Sequence, residues 1–533
     1  MVCCTYMQKF IRSLLRWLNT YRVLIVSLCS SLLVSIWTVL RHITNGINFD
    51  VVGQVGVAGQ WASGIFGGVQ LGSTHYLIKI PFYMLVNTFG FIEPKTRLLL
   101  LALFFNITAI LVIYWLGRKI LGLYNIKSSL LLEIGILWLS LISGRVLWTD
   151  YANSRNLEIA GGIAVLYLVL KLWREWRPKT ALWLLGLATI VFFSDPLQLF
   201  VIGVGAGAYG LVTAYFPGNK AEKLKTSATL LAAGAMSKIL LIFTTTLLPV
   251  RFLEAPKIDF TYKLDTFTTL FQNVVSSTLR VFDINILGKG FGVNSIRQLG
   301  GVVLLGFILF VIIRYRQKVK NEAVMLLWML IGWNYLVYAA SGNALKPLTE
   351  RYIALVPVLL LLIFALHGGI VRKREQKASL ASYLIISVSG LLLVGAVVVN
   401  WPNRFTLDKP MFAIADFARN STYDFIITTR GLAIPGNYYA GYSKTIIPTI
   451  CADNTRIVTS NLFYDESAYR SRLGRTPGKT ALVIPAEGVV SDPFSCSREA
   501  VLAQLGQPDK QFELDNVGTI YEYSSNTETL RQL

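Results

Sequence analysis

The feature that most constrains this chain is a series of uninterrupted apolar runs, each close to the roughly 20 residues a helix needs to cross a bilayer. They lie at about 22–40, 98–117, 130–148, 157–173, 180–194, 197–216, 227–248, 298–314, 323–340, 352–371 and 380–400. No soluble core absorbs that much apolar helix. Composition agrees, at 54% hydrophobic, 15% charged and a mean hydropathy of +0.55. The fold class read from the sequence is an α-helical polytopic membrane protein of about eleven spans. A small C-terminal extracytoplasmic α/β domain follows, with the boundary at 1–401 and 402–533.

Charge sets the orientation. Every second connection is basic: Arg118, Lys119 and Lys127; Lys171, Arg174, Arg177 and Lys179; Lys220, Lys223 and Lys225; Arg314, Arg316, Lys318 and Lys320; Arg372, Lys373, Arg374 and Lys377. All fall on the side of the basic N-terminus, which carries Lys9, Arg12, Arg16 and Arg22 ahead of the first run. Basic short loops mark the cytoplasmic side. The N-terminus is therefore expected inside as a retained signal-anchor, and the C-terminal domain outside the plasma (inner) membrane. The net charge of +21 is accounted for by these loops, and no nucleic-acid partner is expected. The bilayer itself is the first partner.

One apolar piece is excluded from the span count. Tyr76–Leu85 is short and interrupted by Lys79 and Pro81, and reads as an interfacial or re-entrant helix. A break at Ser194-Asp195-Pro196 divides two short runs, and Pro196 leaves open whether these are two spans or one kinked helix.

The outer connections differ chemically from the inner ones. They hold acids, amides and isolated arginines: Trp148–Glu158, Ser194–Pro196, a long stretch at about 249–297, and Ser341–Tyr352. Function is therefore expected on the outward face. Beyond Trp401 the chain turns polar, with strand-like runs at 424–429, 445–450, 456–459, 480–484 and 519–523 and a helix around 497–506. Cys451 and Cys496 lie in this part, and an outside location permits a disulfide between them. The five cysteines show no zinc-type spacing. The segment Gly436-Asn437-Tyr438-Tyr439-Ala440-Gly441-Tyr442 offers either a carbohydrate-stacking surface or core plus turn.

Asn48-Phe49-Asp50-Val51-Val52, with Ala58 and Gly64 beyond it, follows the first span. This pattern resembles the first outer loop of the GT-C membrane glycosyltransferases, especially the protein-mannosyltransferase-like branch. Val51 stands where that branch often has a second acid. Glu350-Arg351-Tyr352, opening a span that contains Pro357, resembles the Arg-Tyr segment near the last spans of these enzymes. Asn153–Glu158 is similar to an Arg-Asn-x-Glu entry of a middle span in uncharacterised bacterial members. The resemblance covers about 20–400 and is one of superfamily.

It implies a transferase that takes a sugar from a polyprenyl-phosphate donor and passes it to a cell-envelope acceptor, a glycan, lipid or protein, on the outer face. Asp50 is the implied base. Arg155 and Arg351 are the implied phosphate ligands, since a guanidinium suits bidentate phosphate contact, with Lys346 as an accessory point charge. Glu158, three residues after Arg155, can pair with it on one helical face. Asp195 is either a helix-break signal or an acid that orients the acceptor or holds an arginine. His75 lies where related enzymes often carry a His or Asp. Glu350 and Tyr352 complete the substrate-binding set. A divalent metal, Mg or Mn, is used by some members of the superfamily and not by others. Two other classes fit the sequence less well: a transporter or flippase of lipid-linked glycans, and a non-catalytic envelope-assembly protein.

Overall fold

A computed structural model describes residues 29, 58, 69–71, 75–89, 92, 94–126, 130–142, 156–215, 219–247, 250–252, 264–282, 284, 293–316, 321–345, 350–368, 409–423, 425–429, 432–433, 445–452, 456–459, 479–486, 498–515 and 517–523. The expected spans at 22–40 and 380–400 lie outside the described residues.

The first four hundred residues are helical. In chain order the elements are β1 (Val69–Leu71), α1 (His75–Asn87), α2 (Pro94–Leu123), α3 (Leu130–Ile142), α4 (Asn156–Arg174) and α5 (Pro178–Ser194). Next come α6 (Pro196–Thr213), α7 (Lys220–Leu247), β2 (Val250–Phe252), α8 (Leu264–Val281), α9 (Val293–Tyr315), α10 (Glu322–Ala339) and α11 (Leu355–Leu366). Among the described residues five helices are long and apolar enough to cross a membrane: Leu103–Leu123 within α2, and α4, α6, α7 and α10. Helices α5 and α11 and the Gly301–Tyr315 part of α9 are apolar but shorter.

The two classes of apolar helix are used differently. Every residue of α11 is buried, as expected of a helix that is hydrophobic all round. Its Leu361 packs where a Cβ on Gly135 of α3 would lie. Helix α7 instead leaves Ile239, Ile242, Phe243 and Leu247 more than half exposed, a surface suited to lipid tails.

Side-chain contacts fix the directions. Gly161 of α4 faces Val191 of α5, while Gly162 faces Gln198 and Ile202 of α6 and Trp173 stacks on Tyr209 at 5.7 Å. So α5 runs against α4, and α6 runs with it. Asp195-Pro196 is therefore a reversal between two antiparallel helices and does not merely kink one. Asp195 turns the chain in an extended conformation (φ −133°, ψ 100°) and caps α6, accepting from Leu197 N at 3.1 Å. Proline follows at the first helical position, where its missing N–H costs nothing.

The helices thus present two ends. One gathers Arg174 over the Tyr124 ring (5.0 Å), Lys223 paired with Glu322, Lys225 near Trp176 and Asn219 bonded to the Trp173 carbonyl (2.8 Å); it is the basic end. The other holds the α4 N-terminus, the α5–α6 turn, the α10 C-terminus and the α11 N-terminus. There β1 and β2 pair in parallel, Gln70 opposite Arg251.

One connection is more structured than the sequence suggested, and the other is the short helix it suggested. The 249–297 stretch contains β2 and the 18-residue helix α8. The Tyr76–Leu85 piece is the 13-residue α1, too short to span, with Lys79, Ile80 and Tyr83 buried and Phe82 and Leu85 exposed. It is packed against the bundle on one side.

Beyond residue 401 the chain forms α12 (Lys409–Asn420), β3 (Phe425–Thr429), β4 (Thr445–Ala452), β5 (Arg456–Thr459), β6 (Thr480–Pro485), α13 (Arg498–Leu505), β7 (Lys510–Leu514) and β8 (Gly518–Tyr523). The sheet order is β5-β4-β3-β6-β8-β7, parallel across β4-β3-β6 and antiparallel at both edges. Phe425, Ile427, Ile447, Leu482 and Tyr521 form its core with Val501 and Leu505 of α13. Cys451 is disulfide-bonded, and Cys496 lies outside the described residues.

Candidate functional site

A buried cluster of charged and polar groups sits at the end of the bundle opposite the basic one. Helix α4 starts at Asn156, whose side chain accepts from Leu157 N at 2.8 Å. That start places Glu158 in the first turn, where the exposed N–H groups favour a negative charge. Glu158 is 2% exposed. Lys79 of α1, fully buried, brings its Nζ to 3.5 Å from Glu158 Oε2. Ser194 Oγ, at the last residue of α5, donates to Glu158 Oε1 at 3.5 Å. Asp195 follows, also buried. Three helices, α4, α1 and α5, therefore converge on one carboxylate.

Gln198 deepens the cluster. It is buried, and its Oε1 has no hydrogen-bond partner among the described residues. It comes this close to α4 because Gly162 has no side chain: a Cβ there would lie 2.5 Å from Gln198 Oε1. From Leu199 to Val204 the helix widens into a π turn, which frees backbone carbonyls. Trp333 of α10 answers one, its Nε1 donating to the Phe200 carbonyl at 2.8 Å. Such π segments concentrate at functional sites.

Trp333 leads to a second group. Its neighbour Asn334 donates from Nδ2 to the Tyr352 carbonyl at 3.4 Å, and its Oδ1 is buried without a partner among the described residues. Tyr352 stacks on Tyr338 with centroids 6.4 Å apart, and the Tyr338 hydroxyl bonds to Ser277 of α8 at 2.9 Å.

The expected site residues separate as follows. Glu158 is in the buried cluster and Asp195 is buried next to the Ser194 that bonds to Glu158, and Tyr352 belongs to the linked group beside it. Lys79 of α1 is a described partner of Glu158; the expected pairing with Arg155 lies outside the described residues, as do Asp50, Lys346 and Cys496. His75 opens α1, and Glu350 and Arg351 lie in a 3-10 turn over Glu350–Ile353; of these three the backbone alone is described. Lys79 and Gln198 were missed as site residues. The signal for Lys79 was present: a lone lysine inside an apolar run must find an anion if the run is buried. Gln198 carried no signal, because its position depends on a glycine in another helix.

Among the described residues no three His, Cys, Asp or Glu gather as metal ligands, and Asp50 lies outside them. The cluster suits a polar ligand that exchanges hydrogen bonds with a paired lysine and carboxylate, a serine hydroxyl and a primary amide. No protein-family model matches the chain, and no curated protein is significantly similar to it.

Proposed function

We propose that the chain is a membrane glycosyltransferase of the GT-C kind, transferring a sugar from a polyprenyl-phosphate donor to a cell-envelope acceptor. In this reading it has about eleven spans, with the basic end in the cytoplasm. The site and the 402–533 domain then lie on the outer side of the plasma membrane. The observation that carries the reading is the buried Lys79–Glu158 pair, with Ser194 and Asp195, at the end opposite the basic residues. Ionisable groups buried among apolar spans are expensive and mark function by default. The substrate class comes from the sequence resemblance around Asp50 and Arg351, not from the cluster.

The chemistry assigned is an inverting transfer. Asp50 takes the proton from the acceptor hydroxyl. The acceptor oxygen attacks the anomeric carbon as the bond from that carbon to the phosphate oxygen breaks, and the electron pair leaves with the polyprenyl phosphate. Arg351, Arg155 and Lys346 neutralise the departing charge. Glu158 and Asp195 hold the acceptor side in place, with Lys79 fixing Glu158.

A second reading has one observation in its favour. The π segment Leu199–Val204 interrupts the regular turn of α6 beside a buried polar cluster, as in transporters whose broken helices line the substrate site. An envelope comparison separates the two. The gene is deleted in the native host and restored as wild type or as Asp50→Asn at matched membrane levels. Glycans, glycolipids and glycoproteins are then profiled by mass spectrometry. Loss of one sugar, rescued by wild type and not by Asp50→Asn, is expected. Full rescue by Asp50→Asn removes Asp50 as the base and turns the weight to transport.

A further inference from the structure

We propose that α8 is a membrane-surface anchor, its exposed apolar ridge seated in the lipid headgroup–acyl boundary at the polar end of the bundle. This goes beyond the transferase reading and does not depend on it.

The helix has three distinct faces. Leu270, Ser277 and Val281 are buried against the bundle. Ser277 is fastened to Tyr338 of α10, and the helix lies on the 3-10 turns at Gly342–Leu345 and Glu350–Ile353. A second face carries Phe267 (61% exposed), Phe271 (62%) and Val275 (40%). At four-residue spacing these fall within roughly 80° of arc, beside the buried face. The third face is polar, with Thr269 and Gln272 exposed. Two large aromatic side chains in line, next to an anchored face and opposite a polar one, form the pattern of a helix lying in a membrane interface.

The occupant is lipid because of what adjoins the ridge. Exposed apolar side chains of the membrane-length helices reach this same end of the bundle: Leu336 on α10, two residues before the Tyr338 that bonds α8, is 57% exposed, and Leu247 at the end of α7 is 67% exposed. The 18 residues of α8 are too polar to count among the helices able to cross. Arg280 is the one basic residue of the helix, so seating is driven by apolar burial and is indifferent to anionic headgroups.

The test uses the full chain in phosphatidylcholine nanodiscs. Cys3, Cys4 and Cys29 are replaced by serine, the disulfide at Cys451 is kept, and the protein without an added cysteine serves as blank. Spin labels are placed singly by Phe267→Cys, Phe271→Cys, Val275→Cys, Thr269→Cys and Gln272→Cys, and their accessibility to oxygen and to a water-soluble nickel complex is compared. Labels at 267, 271 and 275 are expected to favour oxygen, and those at 269 and 272 to favour nickel. Replacing a third of the lipid with phosphatidylglycerol is expected to change neither. Nickel access at all five positions overturns the proposal, because the helix then stands in water. Shielding of 267, 271 and 275 from both reagents also overturns it, because protein then covers the ridge.

Discussion

Lys79 and Glu158 are the residues on which the site's character turns. Each is buried and each faces the opposite charge of the other, so removing one takes from the other a buried counter-charge. Breaking such a pair costs about 3–5 kcal/mol, whereas replacing both partners by apolar groups is often neutral. Lys79→Ala is expected to lower the melting temperature of the detergent-solubilised protein sharply, and Lys79→Met with Glu158→Met to recover most of the loss. The double variant separates structure from chemistry. It is expected to fold and yet fail to restore the missing sugar in the deletion strain. Restoration by the double variant would make the pair a packing device. Helical spacing offered Arg155 as a partner for Glu158, and Arg155 lies outside the described residues; Lys79 is a partner that spacing along one helix cannot display. The observed partner lies 79 positions away along the chain and is brought in by tertiary packing of α1.

At the level of elements, the α5–α6 reversal governs what the cluster can be. Asp195 serves it as a cap, and loss of an N-cap acceptor costs about 1 kcal/mol. Asp195→Ala should therefore lower stability by about that amount while Asp195→Asn leaves it unchanged, as read by thermal unfolding. If Asp195→Asn keeps stability and abolishes the sugar transfer, the carboxylate acts on substrate as well as on the helix. The helices and their alternation were legible because apolar runs and basic loops are written along the chain. Strands β3, β4, β5, β6 and β8 were legible from their β-branched runs. What was not legible follows a pattern. Helices α8 and α12 are amphipathic rather than uniformly apolar, and hydropathy passes over them. Strand β7 is an exposed edge strand, Lys510–Leu514, whose polar residues give no inward-facing signal until β8 pairs with it. The π turn in α6 has no sequence mark, and Gly162, which admits Gln198, reads as any small residue of a membrane helix.

On the scale of the whole molecule, the two parts of the chain answer to different solvents, and pH reaches them differently. In the C-terminal domain the Tyr423 hydroxyl donates to Glu522 Oε2 at 2.6 Å. Burial first, and then that carboxylate, pushes the Tyr423 phenol well above its usual value near 10. Tyr523 is pushed up to about 12, by burial and then by Tyr521 and Asp509. A phenol whose folded value exceeds its unfolded one binds its proton more tightly in the folded state, so its contribution is intact below about pH 10 and lost as pH rises through the raised value. The near-ultraviolet circular dichroism melt of this domain is expected to be flat with pH up to about 10 and to fall above it. Tyr423→Phe should flatten part of that fall.

The pairing of β1 with β2 carries a consequence for how the protein is made. The two strands lie about 180 residues apart in the chain, and at 5–20 residues per second the ribosome delivers the second roughly 10–40 seconds after the first. Through that interval α2 to α7 emerge while Val69–Leu71 waits without its strand partner. Strand β1 therefore gains its β2 partner late, only after the residues of α7 have been made.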